Sequence, residues 1–126
     1  MDSVAQFVRQ AYVSLETYRK NGVAVATPVW FAESEPGVFY AYSEAAAGKV
    51  KRIRNNPDVR IAPCTMRGRV TGEWVAARAR IVEGAESIAR AHQLLRRKYA
   101  LKRLFDLFRG FSDKPRAVIE IRVARP

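Results

Sequence analysis

The strongest constraint on this chain is a series of short segments in which apolar and polar side chains alternate, joined by turns too tight for a helical crossover. Tyr12 to Arg19 places Val13, Leu15 and Thr17 on one face and Tyr12, Ser14, Glu16 and Tyr18 on the other. Lys20-Asn21-Gly22 follows, and Asn-Gly tolerates the positive φ angles of a hairpin turn. Val23 to Phe31 is the returning strand, Glu33 to Gly37 a second turn, and Val38 to Ser43 a third strand rich in aromatics. Val59 to Thr65, Trp74 to Val82 and Pro115 to Val123 read as three more strands, with a turn-rich connection over 66–72.

Helical spacing occurs in three places. Val4, Phe7 and Val8 predict a helix over 2–10 behind a Ser3 cap. A short helix runs from Ala46 to Asn55, stopped by Asn56-Pro57 because proline cannot continue it. A longer one spans Ala85 to about Phe108, with Ile88, Ala91, Leu94, Leu95, Leu101, Leu104, Phe105 and Phe108 as its apolar stripe. Six strands joined mostly by turns predict a mainly β fold with flanking helices, a small six-stranded antiparallel barrel. A parallel sheet needs more crossover helices. With 126 residues and no repeat, low-complexity tract or linker, residues 1–126 read as one domain.

The longest apolar run, Val23 to Ala32, is too short to span a bilayer and is broken at Thr27-Pro28. Met1-Asp2-Ser3 lacks the basic-then-apolar order of a secretory signal. One cysteine, Cys64, cannot form an internal disulfide, and a reducing cytoplasm is the expected home. Lys and Arg total 23 against 12 acids, a net charge of +11. That field attracts polyanions: nucleic acid, anionic lipid, or a phosphorylated cofactor or substrate. Arginine supplies 17 of the cations, and its fork suits phosphate and carboxylate contacts, although much of this charge also serves a solvated surface.

Self-sufficient chemistry is hard to assemble from this sequence. His92 lies mid-helix between Ala91 and Gln93 and reads as a packing or surface residue. Cys64 ends a strand after Pro63 and reads as a buried small hydrophobe. No Gly-x-Gly-x-x-Gly or P-loop occurs, one histidine and one cysteine cannot close a zinc site, and no acidic cluster suggests a metal. Any reaction here borrows a cofactor.

Three segments converge on one site. Ser43 to Arg52 runs from a strand end into a helix start, where free backbone N–H groups bind phosphate. Lys49 and Arg52 stand three apart on one helical face, with Val50 and Ile53 turned to the core and Ser43 adding a hydroxyl. Thr27-Pro28-Val29-Trp30 interrupts a strand with proline, marking an edge, a bulge, or backbone turned to a ligand. Trp30, Tyr40, Tyr42 and Trp74 supply flat surfaces for a planar ring.

Thr27-Pro28-Val29-Trp30-Phe31, the Pro36-Gly37 turn, Val38 to Ser43 and Lys49-x-x-Arg52-Ile53-Arg54-x-x-Pro57 together resemble the pyridoxamine phosphate oxidase-like family, most of all its small members that use the deazaflavin coenzyme F-420. The resemblance spans essentially the whole chain. It implies a split barrel that dimerises, with cofactor sites at the subunit interface. It also implies that Ser43 and Lys49 contact the cofactor phosphate, that Arg52 and Arg54 match basic positions of the same helix, and that Thr27 to Trp30 is the strand facing the ring, near Tyr42. Ala47-Gly48 stands where the oxidases proper have Ser-Arg, and basic residues expected near Ala26 and Phe31 are absent, which argues against true pyridoxamine phosphate oxidase activity.

The expected activity is hydride transfer from reduced deazaflavin to an unsaturated small organic substrate, with FMN as the alternative cofactor and Tyr40, Tyr42 or solvent as the acid. Arg54 and Arg60, which flank the Asn55-Asn56-Pro57 stop, are the candidates for an anionic cofactor tail. The rival class is a basic β-barrel binding nucleic acid through exposed aromatics and arginines.

Overall fold

A computed structural model describes residues 4–100 and 116–124. Six antiparallel strands close into a barrel: β1 (Tyr12–Tyr18), β2 (Ala24–Glu35), β3 (Val38–Glu44), β4 (Asp58–Cys64), β5 (Val75–Ile81) and β6 (Arg116–Val123), in the order β1-β2-β3-β6-β5-β4 with β4 returning to β1. Helix α1 (Gly48–Asn55) joins β3 to β4, and α2 (Ala85–Ala100) joins β5 towards β6. Among the described residues, no helix is long and apolar enough to cross a membrane.

Alternation accounts for both cores. Val13, Leu15, Val29, Phe31, Phe39, Ile61, Ile119 and Ile121 fill the barrel interior, with Ile53 of α1 packed among them. Phe7, Phe31 and Phe39 meet edge to face, with ring centroids 5.3–6.4 Å apart. The second core lies outside the barrel, where Ala91 and Leu95 of α2 cover Trp30, Ala32, Tyr42 and Val118.

The Asn21-Gly22 hairpin forms as the sequence predicts. Gly22 has φ +86°, and Asn21 Oδ1 accepts a hydrogen bond from the Val23 N–H at 3.1 Å. Three expectations need correction. The helix over 2–10 reduces, within the described residues, to a 3-10 turn at Ala5–Phe7, and Arg9 takes φ +65°. β2 does not turn at Glu33; it runs to Glu35 through a bulge, leaving Pro36-Gly37 as the whole turn. α1 begins at Gly48, two residues later than its apolar pattern suggests, because Ala47 stays extended as the N-cap. The extension of α2 from Leu101 to Phe108, and the Ser3 cap, lie outside the described residues.

Candidate functional site

The site arises where β2 changes partner. Among the described residues, Ala24 to Trp30 pair with β1 alone, whereas Phe31 to Glu35 pair with β3 alone. The Arg19 N–H donates to the Val23 carbonyl at 2.9 Å, so Arg19 and Val23 form a hydrogen-bonded pair. Alternation along the ladder then turns the backbone groups of Ala24, Ala26 and Pro28 away from β1, towards an edge that no strand among the described residues pairs with, and turns those of Trp30 the same way. Proline is tolerated there because its missing N–H would not have joined the ladder.

Facing that edge across the split are the end of β3 and the start of α1. Between them lies a cleft of about 430 Å³ lined by Tyr12, Pro28, Val29, Trp30, Tyr42, Ser43, Glu44, Ala47, Lys49 and Met66. Of the nine residues the sequence selects, the structure brings Pro28, Val29, Trp30, Tyr42, Ser43 and Lys49 to one cleft. Thr27 lies in the adjoining strand wall, its backbone committed to Leu15 of β1 and its Oγ1 buried with no hydrogen-bond partner among the described residues. Arg52 and Arg54 do not line the cleft.

Arg52 has a different position from the one its spacing suggests. Its Nε donates to the fully buried Thr17 Oγ1 at 2.7 Å, tying α1 to β1. Its Nη1 folds back over the first residue of the helix, where a Cβ added to Gly48 would lie 2.6 Å from it. Glycine here makes room for a guanidinium at the helix N-terminus. Arg54 is exposed in the last turn of α1, where a cation suits the helix dipole. Arg60 is already engaged: its Nε meets Glu16 Oε1 at 2.7 Å, and its guanidinium lies 5.0 Å from the Trp74 ring centroid.

Lys49 is the cleft's cation. Burial, and secondarily the Arg52 charge beside it, lower its pKa, with Glu44 opposing. Among the described residues no ion pair engages it, and no acidic residue occupies the first turn of α1. A half-buried ammonium beside a guanidinium and a helix N-terminus favours an anion over an empty pocket. Ser43 Oγ donates to the Glu44 carbonyl at 3.1 Å, leaving its lone pairs and its place in the cleft wall.

The aromatic end is narrower than expected. Trp30, Tyr42 and Tyr12 line the cleft, whereas Tyr40 donates its hydroxyl proton to Glu120 Oε2 at 3.3 Å and Trp74 stacks under Arg60, both outside it. Tyr42 is hydrogen-bonded to His92 Nδ1 of α2, with the two rings 5.0 Å apart. Cys64 is buried, and burial pushes its thiol pKa up, as suits a packing residue. Sequence reasoning missed Tyr12, Glu44, Ala47 and Met66; Tyr12 was accessible in principle, since the hairpin register sets it opposite Trp30. Among the described residues, no group of three or more His, Cys, Asp and Glu gathers to hold a metal.

These residues fit a phosphorylated ring: Lys49 and the α1 N-terminus at one end, aromatic walls and an open strand edge at the other, in a volume typical of small-molecule sites, about 300–1,000 Å³. Solved structures of similar shape include an FAD-binding protein from Mesorhizobium loti (18% identity, TM-score 0.70, covering 98% of this chain and 88% of that one). They include an F420 reductase (18% identity, TM-score 0.58, 99% and 95% covered) and the heme storage protein HutZ from Vibrio cholerae (14% identity, TM-score 0.67, 94% and 84% covered). At such identities the likeness is one of fold. No curated protein matches the sequence significantly. The family description pyridoxamine 5'-phosphate oxidase, however, matches residues 1–125, and with the closed six-stranded barrel and its split it establishes that the chain belongs to the pyridoxamine 5'-phosphate oxidase-like split-barrel family.

Proposed function

We propose that this protein is an oxidoreductase whose cleft binds the deazaflavin coenzyme F-420, with FMN the alternative, and that it reduces an unsaturated small organic substrate. The observation that carries this reading is Lys49: a half-buried cation with no ion-pair partner among the described residues, at a helix N-terminus, in the same cleft as Trp30 and Tyr42. The bound ring would supply the hydride. The chain's own residues bind and orient: Lys49, Ser43 and the α1 N-terminus take the phosphate, the β2 edge at Pro28 and Trp30 meets the ring, and Thr27 between them holds that strand to Leu15 of β1.

Deazaflavin is favoured over FMN because Lys51, Arg54, Arg19 and Lys20 add cations that have no ion-pair partner among the described residues around α1 and the hairpin, which suits an anion longer than a single phosphate. Arg54 remains available for such a tail, whereas Arg60 is held by Glu16. Nucleic acid is disfavoured as a partner, because no Phe, Tyr or Trp among the described residues is exposed as a stacking platform. A cytoplasmic homodimer with the cofactor at the interface completes the proposal. Ala24, Ala26 and Pro28 present a small, exposed outer strand face next to exposed Val23 and Met66, open to a second copy.

Titration with deazaflavin and FMN side by side tests it. The proposal expects a shift in cofactor absorption on binding, and tighter deazaflavin binding at low salt with the gap narrowing as salt rises. Equal affinity at every ionic strength transfers the site to FMN; binding of neither, with single-stranded nucleic acid bound instead, defeats it. Light scattering that gives 14.2 kDa with cofactor bound contradicts the dimer.

A further inference from the structure

We propose that Tyr42 and His92 form a proton relay into the cleft, Tyr42 passing a proton to the acceptor and His92 reloading it from solvent. The inference rests on the oxidoreductase reading and adds to it the acid that the sequence alone left open. Tyr40 is outside the cleft and spends its hydroxyl proton on Glu120. Tyr42 lines the cleft, and its hydroxyl meets His92 Nδ1. His92 is half-buried on α2, so its ring links the buried tyrosine to the surface.

Three cationic or titratable side chains from three elements surround the imidazole: Tyr42 from β3, Arg116 from β6 and Arg96 from its own helix. The Arg116 guanidinium also lies 5.4 Å from the Tyr42 ring centroid. The phenol has a single proton: it points to Nδ1 while that nitrogen is bare, and is released towards the cleft once a protonated His92 donates its Nδ1–H to the phenol oxygen. Neutral His92 is then the base of the pair, and burial with the two arginines depresses its pKa, making its protonated form a ready donor. Burial raises the Tyr42 pKa, which keeps the phenol protonated between turnovers.

The step balances as follows. When bound, a reduced flavin-type cofactor would supply a hydride, two electrons and one hydrogen, to one atom of the acceptor's unsaturated bond. The Tyr42 O–H bond breaks, and its proton bonds the other atom. The Nδ1–H of protonated His92 breaks to restore Tyr42, and neutral His92 takes the next proton from water.

His92 is the sole histidine of the chain, so its ring protons give one resolvable titration by NMR. In the unloaded protein the relay expects a midpoint below that of free imidazole, which Tyr42→Phe displaces. In the loaded protein, with cyclohexenone as acceptor, the rate rises as pH falls through that same midpoint. Tyr42→Phe, which keeps the ring and removes the hydroxyl, lowers turnover by about 10²–10⁴-fold and flattens this limb. His92→Gln, on a helix surface, keeps the fold and removes the limb while retaining slower turnover. A Tyr42→Phe or His92→Gln enzyme with unaltered rate and pH profile overturns the relay while the oxidoreductase reading stands. A wild-type protein that binds neither cofactor, or binds one and does not reduce the ketone, overturns the chemistry beneath it.

Discussion

Two sides of this barrel both carry clustered cations and use them in opposite ways. Across β1, β4, β5 and β6, Arg60 pairs with Glu16, Arg78 with Asp58, and both Arg80 and Arg122 with Glu120 at 2.9 and 2.8 Å. Around α1 and the β1–β2 hairpin, Arg19, Lys20, Lys49, Lys51, Arg52 and Arg54 have no carboxylate at ion-pair distance among the described residues. The first arrangement neutralises charge within the fold. The second leaves it for something else, and the cleft lies on that side. Net charge alone conceals the distinction, because +11 is an average over both regions.

The sharpest way to break the comparison is to remove the central cation of the unpaired side. Lys49→Ala is expected to weaken binding of a phosphorylated cofactor by about 1.5–3 kcal/mol, the worth of a hydrogen bond to a charged group, with thermal stability unchanged or slightly raised. Calorimetric titration beside a melting curve separates the two effects. Unchanged affinity would remove Lys49 from the site.

On the paired side the same kind of change acts on folding. Glu120 is 3% exposed and accepts from Arg80, Arg122 and Tyr40, while Arg80 and Arg122 are themselves 61% and 59% exposed. Glu120→Ala should therefore cost about 1–2 kcal/mol of stability, below the figure for a fully buried pair because water screens the arginines. Denaturant unfolding at neutral pH measures it, and a loss of cofactor affinity without a loss of stability would contradict the division.

The two sides also differ in where pH matters. Burial pushes the Glu120 carboxyl up, but Arg80 and Arg122 outweigh it and hold the pKa below the ordinary value; at Glu16 the Arg60 hydrogen bond does the same. In the window between the lowered folded pKa and the unfolded value of about 4.5, the unfolded chain binds more protons. This contribution is therefore complete above the unfolded value and is lost as pH falls through the folded one. Lys49 acts at the other end of the scale. Its lowered pKa means that the unfolded chain binds more protons in the alkaline window below 10.5, so the unloaded protein gains stability as pH rises there. A stability–pH curve on wild type, Glu120→Ala and Lys49→Ala should assign the acid limb to one variant and the alkaline gain to the other. A Lys49→Ala curve identical to wild type would contradict the assignment.

Smaller effects should follow at the margins. Thr17→Val removes the acceptor of Arg52 Nε within a fully buried, nearly isosteric site, for about 0.5–1.5 kcal/mol of stability. Arg54→Ala should reduce deazaflavin affinity by only about 0.2–1 kcal/mol, in a salt-dependent way, and leave FMN affinity alone. A larger loss with FMN would show that Arg54 serves the phosphate and not a tail.

How much of this was legible in the sequence depends on the range of the interaction. The hairpin at Asn21-Gly22 and the alternation of β1, β3 and β6 are local, and they specified the barrel and the faces of Val50 and Ile53. Pro28 announced an edge because proline's missing donor is tolerated only where no strand pairs. Long-range facts were hidden. That Arg52 reaches back to Thr17, that Arg60 is engaged by Glu16, and that Tyr40 and Trp74 leave the cleft depend on register between strands far apart in sequence. The first segment misled for a different reason: Val4, Phe7 and Val8 have helical spacing, yet Arg9 at φ +65° ends the turn, and burial of Phe7 against Phe31 and Phe39 accounts for the apolar pattern without a full helix.

The central claim is that the unpaired side exists to hold a phosphate next to a ring. FMN and riboflavin carry the same ring and differ by that phosphate, so their dissociation constants, measured on the wild-type protein and on Lys49→Ala, isolate it. The account predicts that wild type binds FMN at least about tenfold more tightly than riboflavin, a difference of about 1.4 kcal/mol, and that Lys49→Ala erases most of that preference while riboflavin binds both proteins alike. Equal affinity of the wild-type protein for FMN and riboflavin, or a phosphate preference that survives in Lys49→Ala, would contradict it.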